Sequence, residues 1–194
     1  MKKIIVLAAL AACAAGAVQA QESPWMVRFR ATNLGMENKN ETQVAGLAAS
    51  DKTIPEVDIS YFFNKNVAAE LILTVPQKHD VNTSTTHLGT FKHLPPTLLA
   101  QYHFTNFNGF KPYVGAGINY TKISSVQLGG PTLDSHSWGF AYQAGVDIPL
   151  DKQWSLNFDV KKIHIKTNVY SGADNLGTLK LDPVAASVGV GYRF

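Results

Sequence analysis

Val184-Ala185-Ala186-Ser187-Val188-Gly189-Val190-Gly191-Tyr192-Arg193-Phe194 closes the chain. Val184, Ala186, Val188, Val190, Tyr192 and Phe194 fall on one face of an extended segment. Ala185, Ser187, Gly189, Gly191 and Arg193 fall on the other. A period of two with one oily face and one small or polar face marks a half-buried strand. Carried to a terminal aromatic, it is the pattern of a barrel whose last strand pairs with its first and leaves no open edge.

The opposite end carries a leader. Lys2 and Lys3 precede an apolar run, and Val18-Gln19-Ala20 forms a small-residue cleavage site before Gln21. The reading is a signal peptide over 1–20 and a barrel domain over 21–194. Leu10-Ala11-Ala12-Cys13 also resembles a lipoprotein processing box, but the residues after Cys13 stay apolar, and cleavage after Ala20 is preferred. Cys13 is the single cysteine and leaves with the leader, so no thiol chemistry is expected. The net charge of +3 falls to +1 without Lys2 and Lys3, which argues against a nucleic-acid partner.

Eight segments alternate with period two: 25–32, 57–63, 67–75, 97–104, 111–121, 138–148, one opening at Trp154, and 184–194. No segment reads as a helix. The connections near 64–66, 105–109 and 149–153 are short, whereas 34–56, 76–96, 122–137 and 167–182 are long and polar. Short turns on one side and long loops on the other predict an all-β, closed antiparallel eight-stranded transmembrane barrel with its turns in the periplasm. Trp25, Tyr61, Tyr102, Phe104, Trp154, Tyr192 and Phe194 then share the turn side, as an interfacial aromatic girdle requires.

The inward positions are charged. Arg28, Arg30, Lys161 and Arg193 share an interior with Asp58, Glu70, Asp147 and Asp159. Eight strands leave room for little beyond their own side chains. Two readings stay open: a salt-bridged plug, or a charged constriction along a thin ion path. Beyond Val160 the apolar parity flips to Ile163 and Ile165. A bulge near Lys161-Lys162 is the favoured account. Without one, both isoleucines line the upper lumen.

Candidate chemistry is sparse. The histidines show no metal-ligand spacing, and no metal site, catalytic residue or cofactor is expected. His79-Asp80 reads as a solvated loop pair. His136-Ser137 invites a hydrolase reading, but no third group is placed to orient the imidazole. Leu94-Pro95-Pro96 is more informative. Two prolines at the top of a strand remove two ladder donors, so adjacent strands should part there.

His93-Leu94-Pro95-Pro96-Thr97 with Leu99-Ala100-Gln101-Tyr102, then Lys111-Pro112-Tyr113-Val114-Gly115-Ala116-Gly117-Ile118-Asn119-Tyr120, then Leu156-Asn157-Phe158-Asp159-Val160-Lys161-Lys162-Ile163, and the closing Gly191-Tyr192-Arg193-Phe194, together resemble the outer membrane protein W family. The second motif is the most specific. The resemblance runs in order along the whole mature chain and departs mainly in the long loops. It implies an eight-stranded bacterial outer-membrane barrel with a hydrophobic upper funnel, taking up small apolar molecules and releasing them into lipid beside Pro95 and Pro96.

The expected partners are outer-membrane lipid, a small apolar ligand or detergent in the lumen, and the barrel-assembly machinery reached through the C-terminal strand. A narrow pore for ions or small polar solutes, and a surface structural or receptor protein, are the alternative functions.

Overall fold

The structure, a computed structural model, describes residues 23–194. The leader read in 1–20, with Cys13, lies outside the described residues. The chain runs through β1 (Trp25–Gly35), β2 (Lys39–Thr42), β3 (Ala48–Ala49), β4 (Lys52–Phe62), β5 (Val67–Thr74), β6 (Gln77–Asn82), β7 (His87–Leu94), β8 (Thr97–His103), β9 (Lys111–Leu128), β10 (Thr132–Leu133), β11 (His136–Pro149), β12 (Trp154–Ile163), β13 (Lys166–Ser171), β14 (Asp174–Lys180) and β15 (Val184–Arg193).

Eight of these strands form a closed wall in the order β11-β12-β15-β1-β4-β5-β8-β9, and β9 pairs back onto β11. The first and last strands meet in this ring, with β15 antiparallel to β1 from Met26↔Arg193 to Gly35↔Val184. Short turns join the wall strands at one end, and side-chain caps hold two of them. Asn64 Oδ1 accepts from the amides of Asn66 and Val67, both at 2.9 Å. Asp151 Oδ1 accepts from Gln153 at 2.8 Å and Trp154 at 2.7 Å. Such caps mimic a backbone turn and set the register of the strands that follow.

The polarity of the wall is inverted relative to a soluble protein. Phe140 is 72% exposed while Arg28 is 0% exposed. Alternation places Val27, Phe29, Leu98, Ile118, Phe158 and Val160 outward, where hydrocarbon is the solvent. A strand pair within lipid must satisfy its own backbone, which closure does all the way round.

The four stretches expected as loops are not irregular. β6 and β7 form a hairpin that lies along the upper part of β9, while β10, β13, β14 and β2 build a separate four-stranded sheet. Alternation simply continues above the membrane. Gln77, His79 and Val81 are buried; Lys78 and Asn82 are exposed.

Nor is there a bulge at Lys161-Lys162. β12 keeps unbroken register with β11 through Gln143↔Lys161, Tyr142↔Lys162 and Ala141↔Ile163. Ile163 and Ile165 point inward and are buried. The parity flips because the side chains change at that height: the inward positions turn apolar, at Ile163 and Ile165, and the outward ones turn polar, at Lys162 and His164.

Candidate functional site

The lumen is layered. At the turn end, a cavity of about 310 Å³ is bordered by Met26, Phe62, His103, Asp147, Trp154 and Arg193. Around it stand the expected girdle aromatics. Trp25 packs edge-on against Tyr61 (4.9 Å between centroids), Tyr102 against Phe104 (5.1 Å), Trp154 against Tyr192 (4.9 Å) and Tyr192 against Phe194 (5.1 Å).

Above the cavity lies a buried ionic network. Arg28 spans two strands, with Nη1 at 2.9 Å from Glu70 and Nη2 at 2.7 Å from Asp147. Arg30 Nη1 lies 2.8 Å from Asp58 and 3.3 Å from Glu56. Lys161 Nζ meets Glu56 at 2.6 Å and Asp159 at 3.3 Å. The Tyr113 hydroxyl accepts from Arg30 Nη2 at 3.0 Å and donates to Asp159 at 2.8 Å. Gln143 donates to Glu70, and Asn157 donates to Asp147, each at 2.8 Å. Glycine makes room for this. A Cβ on Gly145 would stand 2.4 Å from the Tyr113 ring, and one on Gly189 would stand 2.1 Å from the Phe29 carbonyl oxygen.

Two placements differ from the sequence reading. Glu56, expected in a loop, is buried within the network. Arg193, expected among the lumen charges, lies at the turn-side mouth, where its Nε donates to the Ser23 carbonyl at 2.9 Å and its guanidinium sits 4.2 Å from the Phe62 ring centroid. The last inward position of a strand reaches the rim, not the interior.

The upper lumen is apolar. Ile72, Leu99, Ile123, Ala141, Ile163 and Ile165 come from the wall strands and the β12–β13 link, joined by Leu47, Val81, Phe91, Val169, Leu179 and Leu181 from the extension. Beside this layer the wall changes. The β5–β8 ladder ends at Ile72↔Thr97, and the β6–β7 ladder begins at Gln77↔His93. Between them, residues 73–76 face Leu94, Pro95 and Pro96 with no backbone pairing between the two segments, although Leu73 and Thr74 stay paired with β4 on their other side.

The far side of the same segment stays attached to β9. Tyr120 N donates to Pro96 O at 3.1 Å. Asn119 Nδ2 reaches Pro95 O at 3.2 Å, Pro96 O at 3.1 Å and Thr97 Oγ1 at 2.8 Å, and Thr121 donates to Asn119 Oδ1 at 2.6 Å. Asn119 thus supplies a donor to the Pro95 carbonyl and a second one to the Pro96 carbonyl. The sequence reading passed over it as one inward polar residue of β9.

The remaining candidates resolve plainly. His136 and Ser137 point to opposite faces, one exposed and one buried, and Ser137 Oγ accepts from the Lys166 amide at 3.2 Å. They share no reacting geometry. His79, expected in solvent, is fully buried. No cluster of three or more metal-binding side chains occurs among the described residues.

A sequence model described as the OmpW family matches residues 14–194. An uncharacterized outer-membrane protein, y4mB of Sinorhizobium fredii, is 44% identical over 91% of this chain and 82% of its own length. Outer membrane protein W of Vibrio cholerae is 33% identical over the full length of both chains. Among solved structures, the outer membrane protein OprG of Pseudomonas aeruginosa superposes with a TM-score of 0.76 at 24% identity, covering 92% of this chain and 99% of that one.

Proposed function

We propose, since this chain belongs to the OmpW family of bacterial outer-membrane barrels, that it passively admits small hydrophobic molecules and releases them sideways into the bilayer. Barrels of this family are not enzymes, and neither is this one. The observation that carries the proposal is the unpaired stretch between residues 73–76 and Leu94-Pro95-Pro96, which lies beside the apolar upper lumen.

Three features support the route. The ionic network fills the lumen below, with Arg28, Asp58 and Glu70 at 0% exposure, so a straight aqueous path is poorly served. The apolar layer above offers a greasy solute a favourable stop. Lateral exit then delivers it to hydrocarbon without crossing charge. The prolines cannot donate across the gap, so opening there breaks the fewest backbone bonds.

The test exploits the lack of cysteine in residues 21–194. Val75→Cys with Leu94→Cys, bridged by a short bis-maleimide across the gap, is expected to abolish uptake of an apolar fluorophore into proteoliposomes. The unbridged double variant keeps normal uptake. Pro95→Val with Pro96→Thr, which restores two donors, is expected to slow uptake while the barrel still folds. Undiminished uptake in both the bridged and the proline-free proteins would exclude lateral exit.

A further inference from the structure

Immediately above the gap, the inner faces of β6 and β7 carry an unusual patch. Gln77 lies opposite His93 in the ladder, and His79 lies opposite Phe91. All four side chains are buried in an otherwise apolar layer. The two imidazoles lie 4.5 Å apart between centroids, and His79 stacks on Phe91 at 5.7 Å. Yet Gln77 Oε1, His79 Nε2 and both ring nitrogens of His93 find no hydrogen-bond partner among the described residues. A buried polar atom without a partner is costly and calls for an explanation.

The protonation pattern narrows what is missing. The Gln77 amide nitrogen is committed to Thr74 Oγ1 and the Val75 carbonyl, which leaves Oε1 as an acceptor. His79 Nδ1 lies 2.6 Å from the Ser50 carbonyl oxygen. That oxygen can only accept, so the proton sits on Nδ1 and Nε2 is an acceptor. Burial pushes the His93 pKa down to about 3 and also lowers that of His79, so both rings are neutral at physiological pH. His93 therefore presents one donor and one acceptor. The patch holds three acceptors and a single donor.

We propose that Gln77, His79 and His93 form a recognition site for an apolar molecule bearing a hydroxyl group, an alcohol or a phenol, at the point where cargo turns toward the lateral exit. A hydroxyl donates once and accepts as well, matching an acceptor-rich patch that retains one donor. A hydrocarbon leaves all four atoms unmet. An ether or ketone answers only the His93 donor. The proposal rests on the uptake reading above and adds a preference within it.

The test uses residues 21–194 in lipid nanodiscs with three probes of similar size: naphthalene, 2-methoxynaphthalene and 2-naphthol. After correction for partition into protein-free lipid, 2-naphthol is expected to bind roughly tenfold tighter than the other two. It should also shift the imidazole ¹⁵N resonances of His79 and His93. Gln77→Leu with His93→Leu is expected to erase the preference while naphthalene binding persists. His79→Phe, which extends the stack on Phe91, gives a second variant should the first fold poorly.

Equal binding of all three probes with unmoved histidine resonances would overturn the site, and would mean that water satisfies these atoms. That result would leave lateral uptake standing if naphthalene still enters liposomes. A 2-naphthol preference with histidine shifts, but no transport of any probe, would keep the site and sink the uptake reading.

Discussion

Lys161 has almost no contact with solvent, and its ammonium is held between Glu56 and Asp159. Removing one partner from a buried ion pair leaves an uncompensated charge, at a cost of about 3–5 kcal/mol. Lys161→Met is therefore expected to lower the urea midpoint of the lipid-reconstituted barrel sharply, and Glu56→Gln added to it should recover part of the loss. A double variant no better than the single one would show that Lys161 acts through packing alone. Glu56 was within reach of sequence reasoning, since it stands two residues before Asp58 and shares its face. The sequence pattern starts this strand at Val57, whereas β4 begins at Lys52 and carries Glu56 inward with Asp58. Arg193 has inward parity too, but parity reports the face and not the depth. Only its position at the end of β15 places it over Phe62 at the mouth.

The extension built from β6 and β7 depends on the neutrality of its two buried histidines, His79 and His93. The unfolded segment takes up protons near the ordinary imidazole value of 6.5, whereas folded His93 resists them down to about 3. A folded pKa below the unfolded one means that stability is fully present above about pH 6.5 and declines as pH falls toward the folded value. Limited proteolysis within residues 77–94 is expected to be unchanged between about pH 8 and 7, then to accelerate progressively from about pH 6 to 4. Constant resistance across that range would show that these rings are not buried as neutral species. The same scale explains β12. Asp159 and Lys161 face the ionic layer, Ile163 the apolar one, and a single regular strand crosses both. A bulge is required only if the lumen is assumed to be uniform along its height.

Around the whole ring, the upper end of the β5–β8 seam passes into an unpaired stretch before pairing resumes between β6 and β7. Hydrogen exchange in bilayers should follow that distribution. Amides along residues 73–75 are expected to exchange faster than those along 69–71 on the same strand, and faster than those of β15, which is paired on both sides. Uniform protection along β5 would mean that the stretch is closed by bonds to β4 alone and is no weak point. Much of this architecture was legible beforehand. Period-two alternation, the short turns at 64–66, 105–109 and 149–153, and the aromatics at one end specify strands, their faces and their closure, because a backbone in lipid has few other ways to satisfy its polar groups. Those signals are local: each depends on a residue and its near neighbours along the chain. What local signals cannot carry is depth and partnership. That Asn119 engages Pro95 and Pro96, that Gln77 and His79 meet His93, and that Arg30 joins Asp58, Glu56 and Tyr113 all depend on register between strands distant in sequence. Closure of the cylinder creates those neighbourhoods, and with them the layers of charge and oil that a travelling solute meets.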